Sequence, residues 1–164
     1  MTEEEMFEII EENFKKAIAN DEFDKFIRGT GEYLIPSKDS YNPYSTNPDD
    51  LIRGLENICV KYPDLNFNTF LETNLIIMLD SENFLNTYAV LEFVSFYLSR
   101  MSYNGDVLKL DLEKILEKLK SKITEQKPLM ENYREGVFAL YGMCMYSAVE
   151  SLAYDLELEG YKIL

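Results

Sequence analysis

The segment from residue 82 to about residue 103 limits the folds open to this chain more than any other. Its large apolar side chains recur at helical spacing, yet they cover more than one face of the helix. These side chains are Phe84, Tyr88, Leu91, Phe93, Phe96, Tyr97 and Leu98. A surface helix buries a single apolar stripe. We therefore predict a central helix that other helices surround.

Local signals predict where several other helices begin. Thr2 and Glu5 have the spacing of a capping box, and Thr69 and Glu72 repeat it. In Asn47-Pro48 an asparagine can cap a helix while the proline takes its first position. Each signal favours a helix that starts within one or two residues.

The rest of the chain also reads as helix. Apolar residues recur with helical spacing between residues 108 and 123, and Pro128 is expected to open a last long helix that continues to about Leu158. The chain has 164 residues, which suits one domain. We predict an all-α, single-domain bundle of about six to seven helices over residues 1–164.

Two alternatives to a plain bundle stay open. Consecutive helices joined by short turns can also stack as helix pairs, although no sequence motif repeats at a fixed period. Residues 107–112 and 160–164 alternate apolar and polar side chains with a period of two, which is typical of strands. A mainly helical fold with a small edge β-hairpin is the second alternative.

The charge of the chain excludes several partners. Thirty acidic residues against sixteen basic ones give a net charge of −14, which repels nucleic acids and anionic lipid surfaces and attracts a basic protein. The uncharged run 137–149 is shorter than the ~20 apolar residues of a membrane span. The acidic start, residues 1–5, lacks the basic and apolar pattern of a signal peptide. We expect a cytoplasmic protein that binds neither nucleic acid nor membrane.

The absence of histidine excludes many kinds of catalytic site. Without it the chain has no Ser-His-Asp or Cys-His nucleophile system and no ordinary zinc site. The sequence also lacks glycine-rich loops of the kind that hold phosphate. We therefore expect no enzyme, no cofactor, no metal and no catalytic residue.

Carboxylates leave one enzymatic alternative open. Glu4, Glu5 and Glu8 are followed by Asp21 and Asp24, and two such acidic groups facing each other can hold Mg²⁺. This arrangement resembles the acidic helices of all-helical nucleoside-triphosphate pyrophosphohydrolases, which implies a magnesium-dependent nucleotide hydrolase. The competing interpretation is that glutamates in a first turn stabilise the helix dipole.

The first candidate binding site is the long segment 31–47. It is rich in tyrosine, asparagine, proline and serine, and it exceeds the usual ~4–6 residues of a connection. Tyrosine rings beside small polar groups are typical of binding loops. We predict that Tyr33, Asp39, Tyr41 and Tyr44 bind a partner, against the alternative of a plain surface connection.

The second candidate site lies on the last helix. Tyr146, Glu150, Tyr154 and Glu157 share one helix face, where tyrosine rings and carboxylates can together hold a lysine or arginine. The alternative is an ordinary core edge whose hydroxyl groups meet water. Glu92 lies in the aromatic central helix, and it could form an acid-base pair with Glu150 if both were buried.

Taken together, the chain resembles the immunity proteins that bacteria make against toxin domains. The resemblance is one of type and spans the whole chain: a small, acidic, histidine-free helical domain with a tyrosine-rich loop. It implies a non-enzymatic inhibitor that binds a cognate toxin or another basic protein. An acidic mimic of DNA and a helical adaptor are further alternatives, and the sequence leaves the oligomeric state open.

Overall fold

The computed structural model describes residues 1–36, 46–104 and 107–164, with only the backbone of residues 102–104. Within these ranges the chain forms eight α-helices and one 3-10 turn, and the predicted all-α fold is confirmed. The helices are α1 (Glu3–Asn20), α2 (Phe23–Arg28), α3 (Pro48–Lys61), α4 (Phe67–Asp80), α5 (Phe84–Asn104), α6 (Glu113–Asn132), α7 (Val137–Leu140) and α8 (Met145–Leu158). The 3-10 turn, Gly31–Tyr33, follows α2. The described ranges contain no β-strand, so the alternative with an edge hairpin is not found there.

Helix α5 occupies the centre of the bundle, as its sequence predicts. It packs against α2, α3, α4, α6 and α8. Its side chains Val90, Leu91 and Val94 are fully buried, and Thr87 donates a buried hydrogen bond of 2.6 Å to Gln126 of α6. The buried apolar side chains of all the helices belong to one continuous cluster. In the described ranges, none of the helices has both the length and the apolar character to cross a membrane.

The contact between α1 and α3 depends on a glycine. Gly54 lies inside α3, and a Cβ atom placed there would lie 2.4 Å from Cδ1 and 2.6 Å from Cγ2 of Ile10 in α1. Ile10 is fully buried, so its side chain has no solvent to move into. The missing side chain at Gly54 therefore sets how closely the two helices approach.

A buried carboxylate joins the same two helices beside this contact. Glu11 of α1 accepts hydrogen bonds from Lys61 Nζ at 2.7 Å and from the Tyr62 hydroxyl, and Lys15 Nζ lies 3.3 Å away. The hydrogen bond from Lys61 and then that from Tyr62 lower the pKa of Glu11 to about 2. Glu11 therefore stays ionised and fully paired although it is buried.

The predicted helix starts are confirmed in two cases and wrong in a third. Thr2 and Glu5 form the capping box of α1, and the Asn47 side chain accepts the Asp49 N–H at 2.9 Å at the start of α3. Helix α4 begins two residues before Thr69, at Phe67, with no side-chain cap. Glu72 instead accepts the backbone N–H of Asp111 at 2.6 Å. The Glu72 carboxylate therefore forms a tertiary hydrogen bond and not the local cap of α4.

The single long helix predicted from Pro128 to about Leu158 is wrong. Pro128 lies inside α6, which ends at Asn132 because Tyr133 is extended, and Gly136 and Gly142 then adopt φ of +59° and +66°. Left-handed backbone of this kind cannot continue an α-helix, and glycine adopts it without strain. The apolar run therefore divides into the short α7 and the longer α8.

The ends of the segment 31–47 are fixed in the core. Ile35 and Thr46 are buried, and the Ile35 N–H donates to Thr46 Oγ1 at 3.2 Å. Thr46 packs against Gly29, whose φ of +62° and lack of a side chain leave room for it. This stem brings Ile35 and Thr46 together beside Gly29, the residue that follows α2.

Replacing Gly54 with alanine should destabilise the protein by about 1–3 kcal/mol, because the new methyl group would overlap Ile10 in a packed core. Helix propensity alone would give the opposite sign, since alanine is favoured over glycine by about 1 kcal/mol. Urea denaturation of the wild type and the G54A variant measures the difference.

The I10V variant supplies the control, because valine lacks the Cδ1 atom that makes the closest contact. In its presence Gly54→Ala should cost less than it does in the wild-type background. A G54A protein as stable as the wild type would contradict the close approach of α1 and α3.

Candidate functional site

The structure brings the four predicted residues of the last helix together on the outward side of α8. Glu150, Tyr154 and Glu157 are exposed, and Tyr146 is half-buried. The ring of Tyr146 already carries a cation, since Lys127 Nζ of α6 lies 5.0 Å from its centroid. We call these four residues the α8 face. The Tyr146 ring on this face is thus in a cation–π contact with Lys127.

A groove lies near the end of α8, between the C-terminal half of α5, the start of α6 and the C-terminal segment. It encloses about 710 Å³. We call it the acidic groove, and its lining residues are Leu98, Met101, Leu110, Asp111, Leu112, Glu113, Leu116, Glu159 and Tyr161. Three of these are acidic, and no described lysine or arginine lines the groove. It is therefore an apolar depression with negative charge at its edge.

Hydrogen bonds hold one wall of the acidic groove in place. The hydroxyl group of Tyr97 in α5 donates to the Leu108 carbonyl at 3.0 Å and accepts the Leu110 N–H at 2.8 Å. Glu72 of α4 accepts the next N–H along the chain, that of Asp111. The segment that leads into α6 is thus attached to both α5 and α4, so the groove is built on fixed elements.

A smaller depression of about 220 Å³ links the acidic groove to the α8 side. Phe96 of α5 and Asp155, Leu158 and Glu159 line it, and Glu159 also lines the acidic groove. Leu158 lies one turn beyond Tyr154, on the exposed side of α8. The α8 face, this depression and the groove therefore adjoin one another.

Of the four candidate residues in the segment 31–47, only Tyr33 is among the described residues, and it is buried. Tyr33 is 1% exposed, and its hydroxyl group donates to Glu22 Oε1 at 3.2 Å and accepts from Asn20 Nδ2 at 3.4 Å. Its ring thus belongs to the core beside α1 and α2. Asp39, Tyr41 and Tyr44 lie outside the described residues.

The acid-base pair considered for Glu92 and Glu150 is not formed. Glu150 is exposed, whereas Glu92 is half-buried. Burial raises the pKa of Glu92 to about 7, and a hydrogen bond of 3.2 Å from the Tyr88 hydroxyl opposes that shift in part. Burial also raises the pKa of Tyr88 well above its usual range. The perturbed groups are thus Glu92 and Tyr88, one turn apart on α5.

The sequence points to Glu92 but not to the residues around it. A cavity of about 280 Å³ beside Glu92 is also lined by Arg28 from the end of α2 and by Tyr133 and Phe138 from the α6–α7 region. These positions are widely spaced along the chain, and no local pattern connects them. The one available signal was that Glu92 is the sole charged residue between Phe84 and Leu98.

The carboxylates of the hydrolase alternative occupy separate positions. Glu4 and Glu8 are exposed on α1, and the Glu5 side chain accepts the N–H of Thr2 in the capping box. Asp21 ends α1, and Asp24 lies 3.8 Å from Arg28. In the part of the chain that the structure describes, acidic and cysteine side chains form no group of three or more suited to a metal ion.

Comparisons with known proteins leave the function to be argued from this geometry. No protein-family model, curated protein sequence or solved structure matches the chain. The α8 face, the acidic groove and the cavity at Glu92 are therefore the observations from which function is inferred.

The raised pKa of Glu92 predicts that the protein loses stability as the pH rises. Between the ordinary value of 4.5 and about 7 the folded state binds a proton at Glu92 that the unfolded state has released. The free energy of unfolding contributed by this group therefore falls across that range. The E92Q variant should gain up to about 3 kcal/mol over the wild type above pH 7 and gain little at pH 4.

Urea denaturation at a series of pH values measures this difference. The E150Q variant is the matched control, because it removes an exposed carboxylate and should follow the wild type at every pH. A stability difference between E92Q and the wild type that stays the same from pH 4 to pH 8 would contradict the raised pKa.

Proposed function

We propose that this protein binds a basic protein through the α8 face and the adjoining acidic groove, and that it acts by occupying its partner. The observation that carries the proposal is a continuous set of exposed apolar and aromatic side chains bordered by carboxylates. No catalytic step is part of this function, and the partner's own activity is what binding would block.

Exposed apolar side chains support a macromolecular partner. Tyr154 and Leu158 are 61% and 69% exposed on α8, and Phe96 and Met101 of α5 are 36% and 40% exposed nearby. An apolar area of this kind with a polar border is typical of a protein interaction site. Tyrosine is also enriched among the residues that dominate binding energy.

The charge around these side chains favours a basic partner over other proteins. Glu150 and Glu157 flank Tyr154 on the α8 face, and Asp155 lies between Tyr154 and Leu158 in the sequence. Asp111 and Glu113 border the acidic groove. Together with the net charge of −14, these carboxylates would accelerate association with a basic surface and disfavour acidic competitors.

Inhibition of a toxin domain is the role that fits these properties best. The likeness of the chain to small acidic immunity proteins implies one-to-one binding that covers or distorts the active site of the toxin. The acidic surface would supply the rate of association, while the apolar and tyrosine side chains would supply the short-range energy. A basic nuclease domain encoded beside this protein is the partner to test first.

The Y154A/L158A double variant should bind such a toxin domain at least about tenfold more weakly, because it removes two exposed anchors. The matched control is Y141A/L140A, whose side chains are 57% and 64% exposed on and after α7. It should bind within about twofold of the wild type. Calorimetric titration with the purified toxin domain measures the affinities, and co-expression measures protection of cells.

Equal losses of affinity in the two double variants would contradict an interface centred on Tyr154 and Leu158. Failure of the wild-type protein to protect cells from the neighbouring toxin would contradict the inhibitory role.

Other outcomes would favour the alternative functions. Nucleotide hydrolysis that is lost in the triple variant Glu4→Gln, Glu5→Gln and Glu8→Gln would support the magnesium-dependent hydrolase. Steep weakening of partner binding with salt, without any effect of Y154A/L158A, would favour the acidic mimic of DNA.

A further inference from the structure

The cavity beside Glu92 plays no part in the proposed protein interface. It lies between the end of α2, the middle of α5 and the region that joins α6 to α7. Thr30, Glu135 and Gly136 form an exposed edge, whereas Ala89 and Phe138 are buried. The cavity thus extends from solvent to the apolar interior.

We propose that this cavity binds an organic cation, an alkylammonium or guanidinium group that packs against its aromatic wall and pairs with Glu92. The cation can come from two sources, a free small amine or the end of a lysine or arginine side chain. The site goes beyond the proposed interface and does not depend on it.

Three aromatic rings supply one wall of the site. The centroids of Tyr88 and Phe138 are 5.3 Å apart with the rings inclined at 83°, and those of Tyr133 and Phe138 are 6.0 Å apart at 72°. Rings this close and this steeply inclined pack edge-to-face against one another, so they form one contiguous aromatic wall. A cation that lies over the face of an aromatic ring is attracted by its π electrons.

Glu92 supplies a carboxyl group that could pair with a bound cation. Glu92 accepts a hydrogen bond from the Tyr88 hydroxyl, and none of the described lysines or arginines forms an ion pair with it. A partly buried carboxylate without a cation is costly, and the raised pKa of Glu92 reflects that cost. A cation bound beside Glu92 would favour the ionised carboxylate and offset the desolvation.

The other charged groups in the cavity also favour a cation over an anion. Glu135 lines the cavity together with Glu92, whereas Arg28 is the only basic residue among the described lining residues. Arg28 Nη2 lies 3.8 Å from Asp24 Oδ2, while the buried Nε of Arg28 has no hydrogen-bond partner among the described residues. Burial raises the pKa of Tyr133, so its hydroxyl group stays protonated near neutral pH. Two carboxyl groups and one guanidinium group therefore line the described cavity.

The size of the cavity limits the ligand. At about 280 Å³ it is just below the ~300–1,000 Å³ of sites that enclose drug-sized molecules. One alkylammonium group with a short stem, or one lysine or arginine side chain, fits this size better than a nucleotide does. The negative lining also disfavours phosphate.

Calorimetric titration of the full chain at pH 7 tests the proposal. The probes are butylammonium and butylguanidinium as free cations, and a short lysine- or arginine-containing peptide with blocked ends as the side-chain source. We expect millimolar or tighter binding of at least one probe. Binding only of the peptide would assign the site to a protein side chain, and binding of the free cations would assign it to a small amine.

Variants separate the cavity from other acidic surfaces. E92Q should weaken binding at least tenfold, and Tyr133→Leu should weaken it several-fold, while E150Q should bind like the wild type. E92Q is expected to be at least as stable as the wild type, so lost binding could not be attributed to unfolding. Unchanged binding in E92Q would overturn the proposal, as would the absence of binding by every probe at 20 mM, a concentration of about twentyfold over a millimolar Kd.

Proton release gives an independent measurement. With a pKa of about 7, close to half of the Glu92 carboxyl groups carry a proton at pH 7, and a bound cation should displace up to about half a proton per site. The binding enthalpy should therefore depend on the ionisation enthalpy of the buffer in the wild type and not in E92Q. Binding without any proton release would contradict the pairing with Glu92.

Discussion

The burial of most of the α5 surface is the constraint on which the rest of the structure depends. Five other helices pack against it, and its apolar residues cover more than one face. A helix of this kind is stable only when neighbours remove most of its circumference from water. The arrangement of the bundle, the wall of the acidic groove and the cavity beside Glu92 all follow from how those neighbours surround it. The polar Thr87 is accommodated there because Gln126 accepts its hydrogen bond.

Two carboxyl groups, Glu11 and Glu92, lie in opposite electrostatic environments. Glu11 is paired with Lys61 and Tyr62, and its pKa falls to about 2. Glu92 lacks such a cation, and its pKa rises to about 7. Folding alone would favour a neutral residue at Glu92, whereas a cation from outside would make the carboxylate favourable. Carboxylates also lie beside aromatic or apolar side chains on the α8 face and in the acidic groove.

Much of the fold could be predicted from the sequence, whereas the cavity could not. The central position of α5 follows from its apolar circumference alone, and the cap at Asn47 is a local signal that packing left intact. The last helix was mispredicted because an apolar run fits one helix or two, and only the backbone angles at Gly136 and Gly142 decide between them. The α8 face follows from helical spacing, but the neighbours of Glu92 come from distant segments that only the tertiary fold brings together.

Glu92 is central to this account: it lies beside an aromatic cavity without an ion-pair partner among the described residues, and we propose that it pairs with a bound cation. Titration of its side-chain carboxyl carbon by nuclear magnetic resonance tests this most directly, because it reports the ionisation of that one group. We expect Glu92 to titrate near pH 7 in the free protein and at clearly lower pH with saturating butylammonium or butylguanidinium. Titration near the ordinary value of 4.5 in the free protein, unchanged by either cation, would contradict the account.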